Sequence, residues 1–244
     1  MWKISNFEIR GLSHIKNNIP CQDKTATKYK NRVFVAALAD GAGSAKMSHF
    51  GANLVTKKVC EILTEKFDSI YANQNGVEIK NNILKLLISA LEQEANVKNC
   101  DLKELASTLL CVAIKNDKFM LFHLGDGLIV YRKNREILIA SSPDNDEFAN
   151  ATYFITSPTA CAKMRILKGN LGEINAFAMM SDGSAESFYL KKNKEIAVLA
   201  FEKIFDTAKK RSQNSMSNLL RNNFQNSVCK NTTDDCSFVV MVKK

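Results

Sequence analysis

Carboxylates stand at the ends of apolar runs in four places. Asp40 follows VFVAALA, Asp126 follows FMLFHLG, Asp182 follows FAMMS, and Asp234-Asp235 precedes CSFVVMV. Each run has the length and composition of a buried strand. The first three aspartates close their strands, and the last pair opens one. If the final strand runs antiparallel to its neighbours, all these ends meet at one edge of a sheet. Carboxylates gathered there repel one another strongly unless a cation lies between them. Hard divalent ions, Mg²⁺ or Mn²⁺, accept oxygen ligands of this kind. Asp40, Asp126 and Asp182 are each followed by glycine, which permits a tight turn and lets a backbone carbonyl approach an ion or phosphate. One Asp-Gly pair is an ordinary turn dipeptide. Three of them, each closing an apolar strand, point to a metal site.

Other chemistries find less support. The three histidines are His14, His49 and His123. His123 lies inside an apolar run and reads as a core residue; His49, early in a helical pattern, reads as structural or exposed. There is no HExxH and no Cys/His cluster for zinc, no G-x-S-x-G elbow for a serine hydrolase, and no phosphate loop of the GxxxxGK[ST] type.

The elements that must hold these aspartates come in runs. Strand patterns cover residues 3–9, 25–29 and 32–39, and two amphipathic helices follow over 47–67 and 79–95. Strands return over 108–114 and 118–124, and over 128–132 and 136–140, each pair joined by a short polar hairpin signal. Further strands are expected over 152–156, 164–168 and 175–180, helices over 193–210 and 212–226, and a closing strand over 236–242. Strands and helices grouped in this way predict an α+β layered fold with antiparallel sheet, not an alternating βαβ sheet.

The chain has 244 residues, 45% of them hydrophobic, enough to bury a sizeable core as one domain. No signal peptide and no membrane span is read from it. Seven scattered cysteines without a CxxC pair suggest reduced thiols and a cytoplasmic protein. The net charge of +9 could attract an anionic partner, but the basic residues are dispersed and lack interleaved aromatics. A solvated basic surface is the better reading, with no nucleic acid and no membrane as partner.

The ordered motifs GLSHIKNNIPCQD, ALADGAGSA, ASTLLCVAI, FHLGDGLIVY, EFANATYFIT, MMSDGSAE and TTDDCSFVVMV together resemble the metal-dependent serine/threonine protein phosphatases of the PP2C type. The match is to the bacterial branch that opens with Gly-x-Ser-His and Pro-Cys-Gln-Asp, and it spans about residues 11–243. The resemblance implies a central β-sandwich of two antiparallel sheets flanked by helices, with two or three Mn²⁺ or Mg²⁺ ions at one edge. By position, Asp40 resembles the carboxylate that bridges the two main ions, and the Gly41 carbonyl helps bind the second. Asp182 and Asp234 complete the first ion's ligands, with Asp235 behind them. Asp126 falls where the family places a ligand for a weaker third ion. Asp23 resembles the acid that orients the reacting water. Residues 141–170 correspond to a variable flap, shaped by Glu147–Asn150 and Thr152–Phe154.

Three positions depart from the wider family. Gln22 stands where many members carry a glutamate near the second metal. Ala42 replaces a histidine that animal members have been proposed to use as general acid, for which His14 is the substitute candidate, the alternative being that His14 holds the N-terminal turn or contacts phosphate. No arginine obviously matches the phosphate-binding one; Arg10 is the candidate, with Lys16 competing. The implied reaction is hydrolysis of phosphoserine or phosphothreonine in proteins by a water that two ions activate, without a covalent phosphoenzyme. A partner kinase is implied by the branch. The alternative is a pseudophosphatase of the same fold that binds phosphoproteins or a kinase without turnover.

Overall fold

The structure is a computed structural model and describes residues 1–143 and 152–244. In chain order it forms β1 (Trp2–Ile9), α1 (Leu12–Lys16), β2 (Lys24–Lys30), β3 (Val33–Ala39), α2 (Ser48–Ala72) and α3 (Gly76–Lys98). Two hairpins follow, β4 (Leu109–Lys115) with β5 (Lys118–Leu124), and β6 (Leu128–Lys133) with β7 (Glu136–Ser141). Then come α4 (Ala160–Lys163), β8 (Arg165–Asn170), β9 (Ile174–Met180) and α5 (Asp182–Ala185). The chain ends with β10 (Tyr189–Leu190), β11 (Glu195–Ile196), α6 (Val198–Lys210), α7 (Gln213–Asn226) and β12 (Cys236–Lys243).

Ten strands make two five-stranded antiparallel sheets, in the orders β1-β12-β9-β6-β7 and β2-β3-β4-β5-β8. The apolar runs lack polar alternation because both faces of these strands are covered. In β3, Val33, Val35 and Ala37 face α2 and α3, while Ala36 and Leu38 face the other sheet. In β12, Phe238, Val240 and Val242 face α6 and α7, while Val239 and Met241 face inward. The result is four layers, helix–sheet–sheet–helix, as the resemblance implied. Asparagine starts three of the tight turns: Asn31, Asn116 and Asn134 all have φ between 50° and 54°, a conformation asparagine tolerates better than most residues.

Register brings the strand ends together. Leu38 of β3 pairs with Leu110 of β4; Met180 of β9 pairs with Phe238 of β12 and with Leu128 of β6; Ile9 of β1 pairs with Cys236. β12 is therefore antiparallel to both neighbours, the condition on which the sequence argument rested.

Three sequence expectations are corrected. Residues 152–156 form no strand: Phe154 folds over Ala42, Ala45 and Ala106, and its N–H is taken by the Ser157 hydroxyl at 2.9 Å instead of a ladder partner. The helix expected from residue 193 begins at Val198, because Lys194 turns at φ 56° and Glu195–Ile196 pair back onto Tyr189–Leu190. The glycines after the aspartates do not make left-handed turns; among described glycines only Gly125 and Gly172 have positive φ in that range. Gly183 is needed for closeness instead, since a Cβ there would lie 2.3 Å from the Asp235 carbonyl oxygen. The flap candidates Glu147–Asn150 fall outside the described residues.

Candidate active site

At the converging strand ends lies a cleft of about 160 Å³ lined by Gln22, Asp40, Gly41, Asp126, Asp182 and Asp234, with Thr152 and Phe154 on one side. One carboxylate oxygen from each of Asp40, Asp126 and Asp182 falls within 4.8 Å of the others. No lysine or arginine is among the described residues that line it.

The aspartates are fixed through their backbone or through donors to their carboxylates. The Asp40 N–H donates to Thr108 Oγ1 at 2.8 Å, and the Thr108 N–H donates to the Asp40 carbonyl at 2.8 Å, so the end of β3 is clamped to the start of β4. Gly41 bridges to Ser107. Asp182 accepts from the Gly183 N–H at 2.6 Å, and Asp126 accepts from the Thr152 hydroxyl at 2.5 Å. Asp234 is exposed and accepts from the Asp235 N–H at 2.8 Å.

Asp235 points the other way. Buried at 2% exposure, it accepts from the Gly11 N–H at 2.6 Å and the Gln22 N–H at 2.5 Å. His14 Nδ1 lies 2.9 Å from its second oxygen. One carboxylate thus pins residues 11–22 against the start of β12. Gln22 donates its amide to the Ala45 carbonyl at 3.2 Å, and its Oε1 is buried with no hydrogen-bond partner among the described residues. Asp23 is 1% exposed and lies near enough to Asp40 to repel its charge. Among the described residues no hydrogen bond of ordinary geometry reaches either of its oxygens, although the Ser181 and Ser237 hydroxyls lie near enough to favour its charge.

Like charges crowded in a partly dry place resist ionisation. Burial, then the charges of Asp23, Asp182, Asp126 and Asp234, push Asp40 well above the usual carboxylate range. Burial raises Asp23 to about 7, with Asp235 and Asp182 adding to it. Burial followed by Asp126 and Asp234 raises Asp182 to about 6. Asp182 and Asp40 lie within hydrogen-bond reach of each other, which two bare carboxylates cannot tolerate. An all-oxygen set without a compensating cation, with the orphaned Gln22 and Asp23 oxygens beside it, fits one or more hard divalent ions.

Of the residues singled out in the sequence, Asp40, Gly41, Asp126, Asp182, Asp234 and Gln22 all line the cleft, while Asp23 is buried and not among the lining residues. His14 and Arg10 are not among the lining residues. His14 pairs with Asp235, and Arg10 donates Nη2 to the His14 carbonyl at 2.9 Å. Sequence reasoning missed the clamp made by Thr108 and the braces of Asp23, Ser181 and Ser237. Hydroxyls inside apolar runs were the available signal, and it is a faint one.

Such a cage at the edge of a layered sandwich is a candidate centre for hard divalent ions. The family model for protein phosphatase 2C matches residues 10–222. Serine/threonine-protein phosphatase 3 of Escherichia coli (strain K12) is 26% identical over 187 residues, covering 75% of this chain and 73% of that protein. Serine/threonine phosphatase Stp1 from Staphylococcus aureus has the same fold, with a TM-score of 0.66 at 16% identity over 100% of this chain and 96% of its own. So has the catalytic domain of the serine/threonine phosphatase PstP, solved with two manganese ions, with a TM-score of 0.63 at 12% identity over 99% and 97%. The chain belongs to the protein phosphatase 2C family and is a metal-dependent protein phosphatase.

Proposed function

We propose that the cleft hydrolyses phosphoserine and phosphothreonine on protein substrates, with Asp40, the Gly41 carbonyl, Asp182 and Asp234 holding two Mn²⁺ or Mg²⁺ ions and Asp126 a weaker third. The carrying observation is the convergence of Asp40, Asp126 and Asp182 within 4.8 Å. The ions, when bound, supply a nucleophilic water at neutral pH and neutralise charge on the phosphoryl oxygens. The chain's own residues do the rest. Asp23, buried and close enough to Asp40 to repel its charge, would orient the reacting water. The neutral Gln22 offers Oε1 as a ligand or as a water acceptor. Thr152 and Phe154 wall one side of the cleft. His14 and Arg10 serve the N-terminal turn in this reading, because their contacts are to Asp235 and to each other.

The complete carboxylate set favours turnover over a non-catalytic binding role. Two finer points belong to the same reading: a partner kinase whose products this chain removes, and a cytoplasmic location. The second is supported by seven cysteines, all free; no helix among the described residues is long and apolar enough to cross a membrane.

Purified protein with Mn²⁺ is expected to release phosphate from a phosphothreonine peptide. EDTA, or Asp182→Ala, is expected to abolish that release. Undiminished turnover in EDTA would overturn the assignment.

A further inference from the structure

His123 sits at the end of β5, three residues before Asp126. It is 0% exposed, on the inter-sheet face of the strand that Phe119 and Leu121 share, an apolar setting in which a polar ring must be fully partnered. Nδ1 lies 2.7 Å from Ser141 Oγ, and Nε2 lies 3.1 Å from the Gly125 carbonyl oxygen. Arg165 Nη2 lies 3.1 Å from Nδ1 and 3.2 Å from Nε2. A carbonyl only accepts, whereas the Arg165 nitrogen is nearly equidistant from both ring nitrogens and does not distinguish them. The ring proton therefore belongs on Nε2, facing Gly125, and Nδ1 accepts. Burial, then the Arg165 charge, pushes the imidazole down to about 3, so the ring is neutral.

The carbonyl that His123 engages belongs to the peptide joining Gly125 to Asp126. Gly125 has φ +117°, and a Cβ there would meet the Thr108 side chain at 2.5 Å. The turn is thus open to glycine and to little else, and it packs on the same Thr108 that clamps Asp40. The tilt of the 125–126 peptide plane sets the direction in which Asp126 leaves the turn toward Asp40 and Asp182.

We propose that His123 is a positioning residue for Asp126: its Nε2–H fixes the Gly125 carbonyl, and through it the aim of the Asp126 carboxylate, without touching ion or substrate. The proposal rests on the reading of Asp126 as a metal ligand.

Two variants separate this bond from general core disruption. His123→Gln carries an amide nitrogen near the Nε2 position, whereas His123→Asn reaches only the Nδ1 position. Calorimetric Mn²⁺ titration should show the Asn variant losing affinity at the weakest site by about tenfold, with the Gln variant close to wild type. In an Asp126→Asn background, His123→Asn should cost nothing further. Equal losses in Gln and Asn, or an added loss in that background, would overturn the proposal. Imidazole ¹⁵N spectra of the metal-free wild type give an independent reading, whatever the variants' stability: a neutral Nε2–H ring at pH 7 is expected, and an Nδ1–H or charged ring would overturn it. If the wild type bound no Mn²⁺, the metal reading would fail instead. The role of His123 would then be judged from the Asp126 carboxyl ¹³C resonance, expected to move in His123→Asn and to stay in His123→Gln.

Discussion

At the scale of single residues, adjacent aspartates have opposite tasks. Asp234 is exposed at the cleft; Asp235 is buried and receives two backbone N–H groups and His14. Removing Asp235 leaves those donors buried and unpaired, at about 1–3 kcal/mol for each orphaned group. Asp235→Ala is therefore expected to lower unfolding stability in urea by about 3 kcal/mol or more and to loosen residues 11–22. Asp234→Ala, by contrast, should leave stability nearly unchanged in EDTA while weakening Mn²⁺ binding. A urea titration of both variants without metal distinguishes the two tasks; equal destabilisation would contradict them.

At the scale of elements, the site depends on how closely strand ends approach. α5 begins at Asp182, directly after β9, and its Gly183 packs against the backbone before β12. Because the obstructing atom at 2.3 Å is a backbone carbonyl, Gly183→Ala must separate β9 from β12. A strained small-to-large change of this type costs about 1–3 kcal/mol. Here it should also widen the gap between Asp182 and Asp234, so Mn²⁺ affinity should fall more than stability does. Gly76→Ala, at a position with open space away from the cleft, is the control and should leave Mn²⁺ affinity unchanged.

Across the whole molecule, a chain of net charge +9 concentrates carboxylates at one edge. This makes metal, proton and fold mutually dependent. Asp23 and Asp182 titrate at about 7 and about 6 when folded against 3.8 as free groups. The folded state therefore holds more protons between those values, and stability must fall as pH rises. Their stabilising contribution is full below 3.8 and is lost as pH climbs through 6 and 7. Metal-free protein is thus expected to melt at progressively lower temperature from pH 5 to pH 8. Bound Mn²⁺ replaces the protons, so its stabilisation should be larger at pH 8 than at pH 6. At about a hundredfold excess over Kd, that stabilisation is about 2.7 kcal/mol. Thermal melts with EDTA and with Mn²⁺ at both pH values check the sign; a Mn²⁺ shift that shrinks with rising pH would contradict it.

The sequence by itself determined which residues could be ligands and which strands they end. An apolar run that stops at Asp40, Asp126 or Asp182 shows a buried strand with a charge at its tip, since burial of one and exposure of the other are local properties. It also determined the hairpins, through asparagine-led turns such as Asn134, and the core helices, through their periodicity. The tertiary structure alone decided which tips meet, because register and sheet packing are long-range. Pairing Met180 with both Leu128 and Phe238 brings together chain positions far apart in sequence. It also decided what short segments do. Residues 152–156 gave up strand pairing to cover the small cluster at Ala42, and His14 pairs with Asp235 while Arg10 donates to the His14 carbonyl. In each case a contact with distant chain outweighed the local preference, and no spacing within the segment could record it.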